Sequence, residues 1–381
     1  MGQIWQWFKN NFYHFPLAFL AAVVYRQPSR RIFTIGVTGT NGKTTTVELI
    51  AFILEKAGQK VAVSSSLRHG AAAMTMPGRF FLQRFLRRAL ADGCQTAIIE
   101  VTSQGALQHR HRFIQWGAAV FTNLSAEHIE AHGSFENYRE AKLKFIGYAA
   151  QQGAQIFINE DDRNTRYFIE AVPNPVLYGK SDLPSQLLGD FNKYNVGAAV
   201  AVAKGLGIDE EIIKKAVAEF PGVPGRMEFI QKKPFTVVVD YAVTPDALRQ
   251  IYQTLRAISH PELPTRLICV FGSCGGGRDR WKRPAMGKIA SELCDQIILT
   301  NEDPYDEPAE QILDEIGSGI NRKYEKILDR REAIRKAIGL AQPRDTVVIT
   351  GKGSERFIHI ANGEKIPGSD KETVLAIINK V

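Results

Sequence analysis

Gly36-Val37-Thr38-Gly39-Thr40-Asn41-Gly42-Lys43-Thr44-Thr45-Thr46, written GVTGTNGKTTT, decides the fold. Before it, RIFTIGV is a short β-branched run; after it, VELIAFILEKAG has apolar residues at helical spacing and ends in Gly58. Strand, glycine turn and helix in that order make a phosphate cradle. Backbone N–H groups at a helix N-terminus surround the phosphates, Lys43 adds a charge, and the Thr44 hydroxyl is able to ligate Mg²⁺. Gly36 stands one residue further from the Gly-Lys pair than a strict Walker A spacing allows, while Gly39 sits inside the loop. The expected nucleotide contacts are Gly39, Thr40, Asn41, Gly42, Lys43, Thr44 and Thr45.

Working outward, KVAVSSS, TAIIEVTS and AAVFTNL read as buried strands with polar residues at their C-terminal ends. That pattern predicts a parallel sheet whose ligand site lies at those ends. Glu100 closes the TAIIE strand, where a phosphate-loop protein needs a further magnesium ligand. The segment PGVPGRME, residues 221 to 228, punctuates the chain. Beyond it TVVVDYA, RLICVFGS, QIILTNED and DTVVITGKG predict a second α/β unit of the nucleotide-binding type without a phosphate loop of its own. The expected division is a short apolar segment over 1–30, an ATP-binding domain over 31–224 and a Rossmann-like α/β domain over 225–381.

A chain of 381 residues, 44% hydrophobic and 23% charged, is globular material long enough for such domains. Its net charge is +8, but the basic residues are scattered apart from the run Arg278 to Arg283, which suits anionic small substrates and not nucleic acid. Cys94, Cys269, Cys274 and Cys294 lack C-x-x-C spacing and sit in apolar surroundings, which predicts buried free thiols in a reducing cytoplasm and no zinc site. The N-terminal IWQWFKNNFYHFPLAFLAAVVY is too short in its apolar run, Phe15 to Tyr25, to span a bilayer. Two readings stay open there, a helix packed on the body of the protein and an interfacial helix lying on a membrane.

In FTNLSAEHIEAHGSFENYREAKLKF, His128 and His132 taken alone read as surface histidines and Lys142 as a solvated helix lysine. Beside the phosphate loop, this stretch resembles the Mur ligases, ATP-dependent amide-bond enzymes of peptidoglycan synthesis, most of all the MurE type that adds the third residue of the stem peptide. TMPGRFFLQRFL, EVTSQGA, GDFNKYNVGAAVA, GVPGRME, VVDYAVTPDAL, FGSCGGGRDRWKRPAMGKIA, DRREAI and GKGSE extend the likeness in order from Arg31 to the C-terminus.

The resemblance implies the Mur central and C-terminal domains. Lys43 and Thr44 would hold the β- and γ-phosphates and one Mg²⁺ with Glu100; His128 would bind a second Mg²⁺. Lys142 matches a lysine that the family carries as a carbamate, an adduct with CO₂ that turns a cation into an anionic oxygen ligand. Asn192 and Asn195 match asparagines near the adenine, and Arg226 and Asp240 match residues that reach back to the nucleotide, so closure would precede chemistry. Substrate contacts would come from Thr75, Pro77, Thr102, Ser103, Arg278, Asp303, Tyr305, Gly351 and Glu355. The γ-phosphate would pass to a carboxylate of a muramyl-peptide acceptor, and the amine of a free amino acid would displace it. A cytoplasmic monomer is expected, with peripheral membrane contact through the N-terminus open.

Three departures bear on substrate. The family's N-terminal UDP-binding domain has no counterpart in the about 30 residues before the first strand, which opens a differently held or lipid-linked acceptor. The Asp-Asn-Pro-Arg selectivity motif reads Glu302-Asp303-Pro304-Tyr305, which loses a guanidinium; Glu302, Asp303 and Glu355 would then suit a cationic amine such as lysine or ornithine, although Arg278 remains for a carboxylate. Tyr-Ala-His reads Tyr241-Ala242-Val243, and Gly-Lys-Gly-His-Glu reads GKGSE with Ser354. The first of these removes a polar contact near the nucleotide.

Overall fold

A computed structural model describes residues 9–69, 75–258 and 265–379. The chain divides into two compact units, Met1–Ala126 with Gly133–Pro221, and Glu127–His132 with Gly222–Val381.

In the first unit, β1 (Phe33–Thr38), β2 (Val61–Ser64), β3 (Thr96–Glu100), β4 (Ala118–Phe121), β5 (Gln155–Asn159) and β6 (Val176–Tyr178) form one sheet in the order β2-β3-β1-β4-β5-β6. Every pairing is parallel. The apolar runs of β1, β3 and β4 take the centre, buried on both faces as parallel strands must be. The chain passes from β3 to β4 across β1, so the crevice for a ligand falls at the C-terminal end of β1. Register sets Val37 opposite Glu100 and Thr38 opposite Phe121 there. Gly36 serves packing: a Cβ on it would lie 2.4 Å from the Phe145 ring and 2.9 Å from Trp116.

The second unit holds β7 (Glu228–Gln231), β8 (Thr236–Asp240), β9 (Leu267–Phe271), β10 (Gln296–Leu299), β11 (Glu325–Lys326) and β12 (Thr346–Thr350), ordered β11-β10-β9-β12-β8-β7. All pairs are parallel except the antiparallel edge strand β7. The four strands expected from sequence are the central ones. Buried Arg330 ties the ends of β10 and β12: it pairs with Asp370 at 2.7 and 2.8 Å and donates to the carbonyls of Asn301 (3.1 Å) and Thr350 (2.8 Å).

One expectation is overturned here. Cys269 on β9 and Cys294, which follows the helix Lys282–Leu293, form a disulfide with Cα atoms 6.1 Å apart, so only Cys94 and Cys274 are free. The turn from that helix into β10 returns beside β9, which brings together residues 25 apart in sequence, a pairing with no local spacing signature.

At the N-terminus, the helix Phe15–Val24 packs through Ala18, Ala21 and Ala22 against the helix Arg79–Ala91. Residues 1–8 of the apolar segment lie outside the described residues. Among the described residues no helix is long and apolar enough to cross a membrane.

Candidate active site

The phosphate loop closes because its glycines leave no room for side chains. Gly39 (φ +153°) would place a Cβ 1.9 Å from Thr122 Oγ1, and Gly42 (φ +81°) would place one 2.1 Å from Asn195 Oδ1. The residues that follow β4 fasten the loop from the side. Asn41 donates its N–H to Asn123 Oδ1 (2.8 Å), and its carbonyl accepts from Thr122 Oγ1 (2.8 Å) and Asn123 Nδ2 (3.0 Å). The Thr40 hydroxyl meets the Tyr138 hydroxyl at 2.9 Å and accepts from Ser125 N–H at 3.0 Å.

Two lysines converge on this loop. Lys43 Nζ donates to the carbonyls of Gly39 (3.0 Å) and Thr40 (2.8 Å), and Lys142 Nζ donates to the same Gly39 carbonyl at 2.7 Å. Lys142 projects inward from the helix Phe135–Gln151 and is fully buried, 4.6 Å from the Tyr138 ring centre. It is not the solvated helix lysine that its neighbourhood alone allowed. Burial, with the Lys43 charge beside it, holds its amine well below the ordinary lysine range.

Beside the first helical turn, Thr44 Oγ1 lies 3.1 Å from Ser66 Oγ, and the Ser66 N–H donates to buried Glu100 Oε1 at 3.3 Å. Behind them Glu48 accepts from Ser65 Oγ (2.9 Å) and pairs with Arg68 (2.8 Å), which stiffens the end of β2. Two hydroxyls and a carboxylate are hard oxygen donors, the set Mg²⁺ takes when phosphate oxygens and water complete its shell. Among the described residues there is no group of three or more His, Cys, Asp or Glu able to hold a metal alone. Sequence reasoning did not single out Ser66; its signal was the serine run that closes KVAVSSS.

Asn195 and Asn192 buttress the loop from behind. Thr46 Oγ1 donates to Asn195 Oδ1 (3.4 Å), Asn195 Nδ2 to Asn192 Oδ1 (2.9 Å), and Asn192 Nδ2 to the Leu188 carbonyl (2.7 Å). Thr45 is buried in the same turn. The segment with Thr75 and Pro77 meets Thr102 and Ser103 through Gly105: a Cβ there would lie 2.3 Å from Met76 Sδ and 3.0 Å from Thr102 Oγ1, which caps the helix Ser103–Leu107.

His128, Arg226 and Asp240 belong to the second unit. His128 has φ +58° in the segment Glu127–His132, whose N–H groups at Ile129 and Glu130 donate to Asp279 at 3.1 and 2.9 Å. Glu127 pairs with buried Lys282 at 2.8 Å. Asp240 accepts from the N–H groups of Met227 and Ala242, both at 2.6 Å, and the Arg226 guanidinium lies 4.1 Å from the Tyr241 ring centre. Burial raises the Asp240 carboxyl, against the pull of Arg226.

At the C-terminal ends of β10 and β12 the remaining predicted residues form one cluster. Asp303 Oδ1 accepts from buried Lys352 (2.8 Å) and from the His359 N–H (2.8 Å), and Lys352 also pairs with Glu355 at 2.5 Å. Glu302 accepts from Cys274 Sγ at 2.9 Å, and its carboxyl is pushed up by burial. Gly351 (φ +115°) leaves it that space, since a Cβ would lie 2.5 Å from Glu302 Oε2. Tyr305 (φ +51°) stacks on His359 with ring centres 5.2 Å apart, and the Arg278 charge lies near its side chain. The negative charge expected to await a cationic amine is therefore largely compensated. Lys352 holds Asp303 and Glu355, a role sequence reasoning missed inside GKGSE.

This geometry can be set beside known proteins. A model of the Mur ligase middle domain matches residues 37–183, and one of the Mur ligase glutamate ligase domain matches residues 225–353. The UDP-N-acetylmuramoyl-L-alanyl-D-glutamate--2,6-diaminopimelate ligase of Thermosynechococcus vestitus is 38% identical over 395 residues, covering 93% of this chain and 78% of its own length. The protein of the same name from Aquifex aeolicus is 35% identical over 389 residues, covering 93% and 79%. A solved structure of a ligase of that name is 33% identical with a TM-score of 0.59, covering 92% of this chain and 78% of its own. MurF from Acinetobacter baumannii, 19% identical with a TM-score of 0.71 over 95% and 80%, is alike in fold.

Proposed function

Because the chain belongs to the Mur ligase family, we propose that it uses ATP to join an amino acid to the carboxylate of a muramyl peptide in peptidoglycan precursor synthesis. The observation that carries this reading is the cradle itself: backbone amides, Lys43, and the Thr44, Ser66 and Glu100 oxygens around the end of β1.

The loop N–H groups and Lys43 bind and orient the triphosphate, which places the γ-phosphorus for in-line attack by the acceptor carboxylate. A P–O bond forms, the bond to ADP breaks, and an acyl phosphate results. The neutral amine of the incoming amino acid adds to that carbonyl, loses a proton, and expels phosphate to leave the amide. Magnesium, when bound, supplies neutralisation of phosphate charge, and Thr44 and Glu100, with Ser66 beside them, are the residues that would hold it.

Lys142 acts as its carbamate. Burial and the Lys43 charge disfavour the ammonium form, and the free amine is the nucleophile that CO₂ needs, forming an N–C bond and releasing one proton; the product anion then sits beside the Lys43 cation. Shared use of the Gly39 carbonyl supports this reading.

The incoming residue is a diamino acid, and diaminopimelate is the first candidate. Arg278 stays available for a carboxylate, while Lys352 occupies the acidic groups on which a preference for lysine or ornithine would depend. Tyr305 in place of a guanidinium is the one feature that favours those amino acids. Release of ADP and phosphate by the purified protein, assayed with each substrate omitted in turn, tests the proposal. Release should require ATP, the muramyl-peptide acceptor and the amino acid together; release independent of the acceptor would refute it.

A further inference from the structure

The N-terminal helix faces the wrong way for a helix that serves only packing. Its small residues Ala18, Ala21 and Ala22 meet the protein, and Phe12, Tyr13, Phe15, Phe19, Leu20, Val23 and Val24 point outward. Phe12 is 61% exposed, Phe19 53% and Val24 57%, so with ordinary residue areas the stripe amounts to roughly 600 Å², at the top of the range for a monomer's largest apolar patch. The helix is nevertheless clamped. His14 Nδ1 lies 2.8 Å from Arg79 Nη2, and Phe15 and Phe19 meet Phe113 edge to face at 5.2 and 5.4 Å.

Charge identifies what the stripe meets. No Asp or Glu occurs before Glu48, and exposed Arg26, Arg30 and Arg31 follow the helix directly. The helix packed against it, RFFLQRFLRRALA, contains no acid and exposes Arg84 and Arg87, while Arg88 pairs with Asp92 just past its end at 3.9 Å. We infer that this face docks on an anionic lipid bilayer, with the aromatic and aliphatic stripe at the headgroup–acyl boundary and the arginines on lipid phosphates. Aromatic side chains beside arginines with no acid between them are the composition of helices that lie in that plane. The inference rests on this face alone and not on the ligase reading.

Flotation of the full-length protein with vesicles of phosphatidylcholine, and with vesicles containing roughly a third phosphatidylglycerol, tests it. Wild type should float with the anionic vesicles at least about tenfold better than with the neutral ones, and raising salt from about 0.1 to about 0.5 M should weaken binding. Phe19→Ser with Val23→Ser, and separately Arg84→Glu with Arg87→Glu, should each lower binding about tenfold while ligase turnover in solution is unchanged. Wild type that stays unbound, or binding indifferent to both pairs of substitutions, would overturn the inference. So would self-association abolished by the same substitutions, which assigns the face to a second copy. Binding that appears only after removal of residues 1–8 would assign the face to those residues of the chain itself.

Discussion

Lys142 and Lys43 donate to one acceptor, the Gly39 carbonyl, at 2.7 and 3.0 Å. Two like charges on one oxygen in a sealed space repel, and loss of the proton from the buried amine relieves that repulsion. The same event makes the amine reactive towards CO₂. Lys142→Ala should lower turnover at least about a hundredfold, and acetate or formate should restore part of it by supplying the missing carboxylate. Lys142→Met should be as inactive, yet as stable to heat as wild type, because it fills the space without a buried amine. Unchanged turnover in either variant would remove Lys142 from the chemistry.

Ser66 sits between Thr44 Oγ1 and Glu100 Oε1 and belongs to no motif used to find the site. Glu100→Gln should lower turnover about a hundredfold and raise the magnesium concentration needed for half-maximal rate. Ser66→Ala should raise that concentration only about three- to tenfold with little change in kcat, as expected of a group that positions a ligand. Magnesium titrations of turnover separate the two outcomes.

In the proposed reading selectivity turns on Tyr305, which stacks on His359 and stands in the sequence where the resemblance expects an arginine. Tyr305→Arg should raise kcat/KM for diaminopimelate relative to lysine by about tenfold or more, because a guanidinium adds a bidentate partner for the distal carboxylate. Competition between the two amino acids, read by mass spectrometry of the product, measures the shift. An unchanged ratio would place discrimination at Arg278.

His111 gives a pH dependence unconnected with catalysis. Its ring is fully buried between Phe145 and Tyr148, and neither nitrogen has a hydrogen-bond partner among the described residues. Burial, and then the neighbouring Arg112 charge, lower it to about 3. With its folded value depressed, the unfolded chain takes up the proton first as pH falls below the ordinary value of about 6.5. Stability is therefore lost across the window from about 6.5 down to about 3, by at most about 5 kcal/mol from this group. His111→Phe should remove that loss, so its advantage in Tm over wild type should widen between pH 7 and pH 4. A constant gap would show that the ring gains no proton on unfolding.

Arg330 and Asp370 form a buried pair that also holds the Asn301 and Thr350 carbonyls. Asp370→Ala leaves that guanidinium uncompensated and should cost about 3–5 kcal/mol in denaturant unfolding. The position sits in none of the sequence motifs; only Arg330, in DRREAI, does.

Much of this was legible in the chain because central parallel strands, buried on both faces, leave apolar runs, and the phosphate loop leaves a glycine pattern. Edge strands β2, β6 and β11 are short and partly exposed, which gives a weaker signal. The site residues of GVTGTNGKTTT could be named in advance, whereas Ser66, Tyr138 and Lys352 take their roles from contacts made by distant segments. The Cys269–Cys294 disulfide escaped for the same reason. Counting Glu302, Asp303 and Glu355 as open negative charge ignored Lys352, whose ion pairs with Asp303 and Glu355 exist only once the ends of β10 and β12 meet on either side of β9.

The central claim is that the acceptor's carboxylate oxygen attacks the γ-phosphorus. An acceptor labelled with ¹⁸O in that carboxylate, turned over with ATP and amino acid, tests it most directly. Inorganic phosphate that carries one label from each labelled carboxylate oxygen it removes is the predicted result; unlabelled phosphate, with all the label retained in the peptide, would contradict the account.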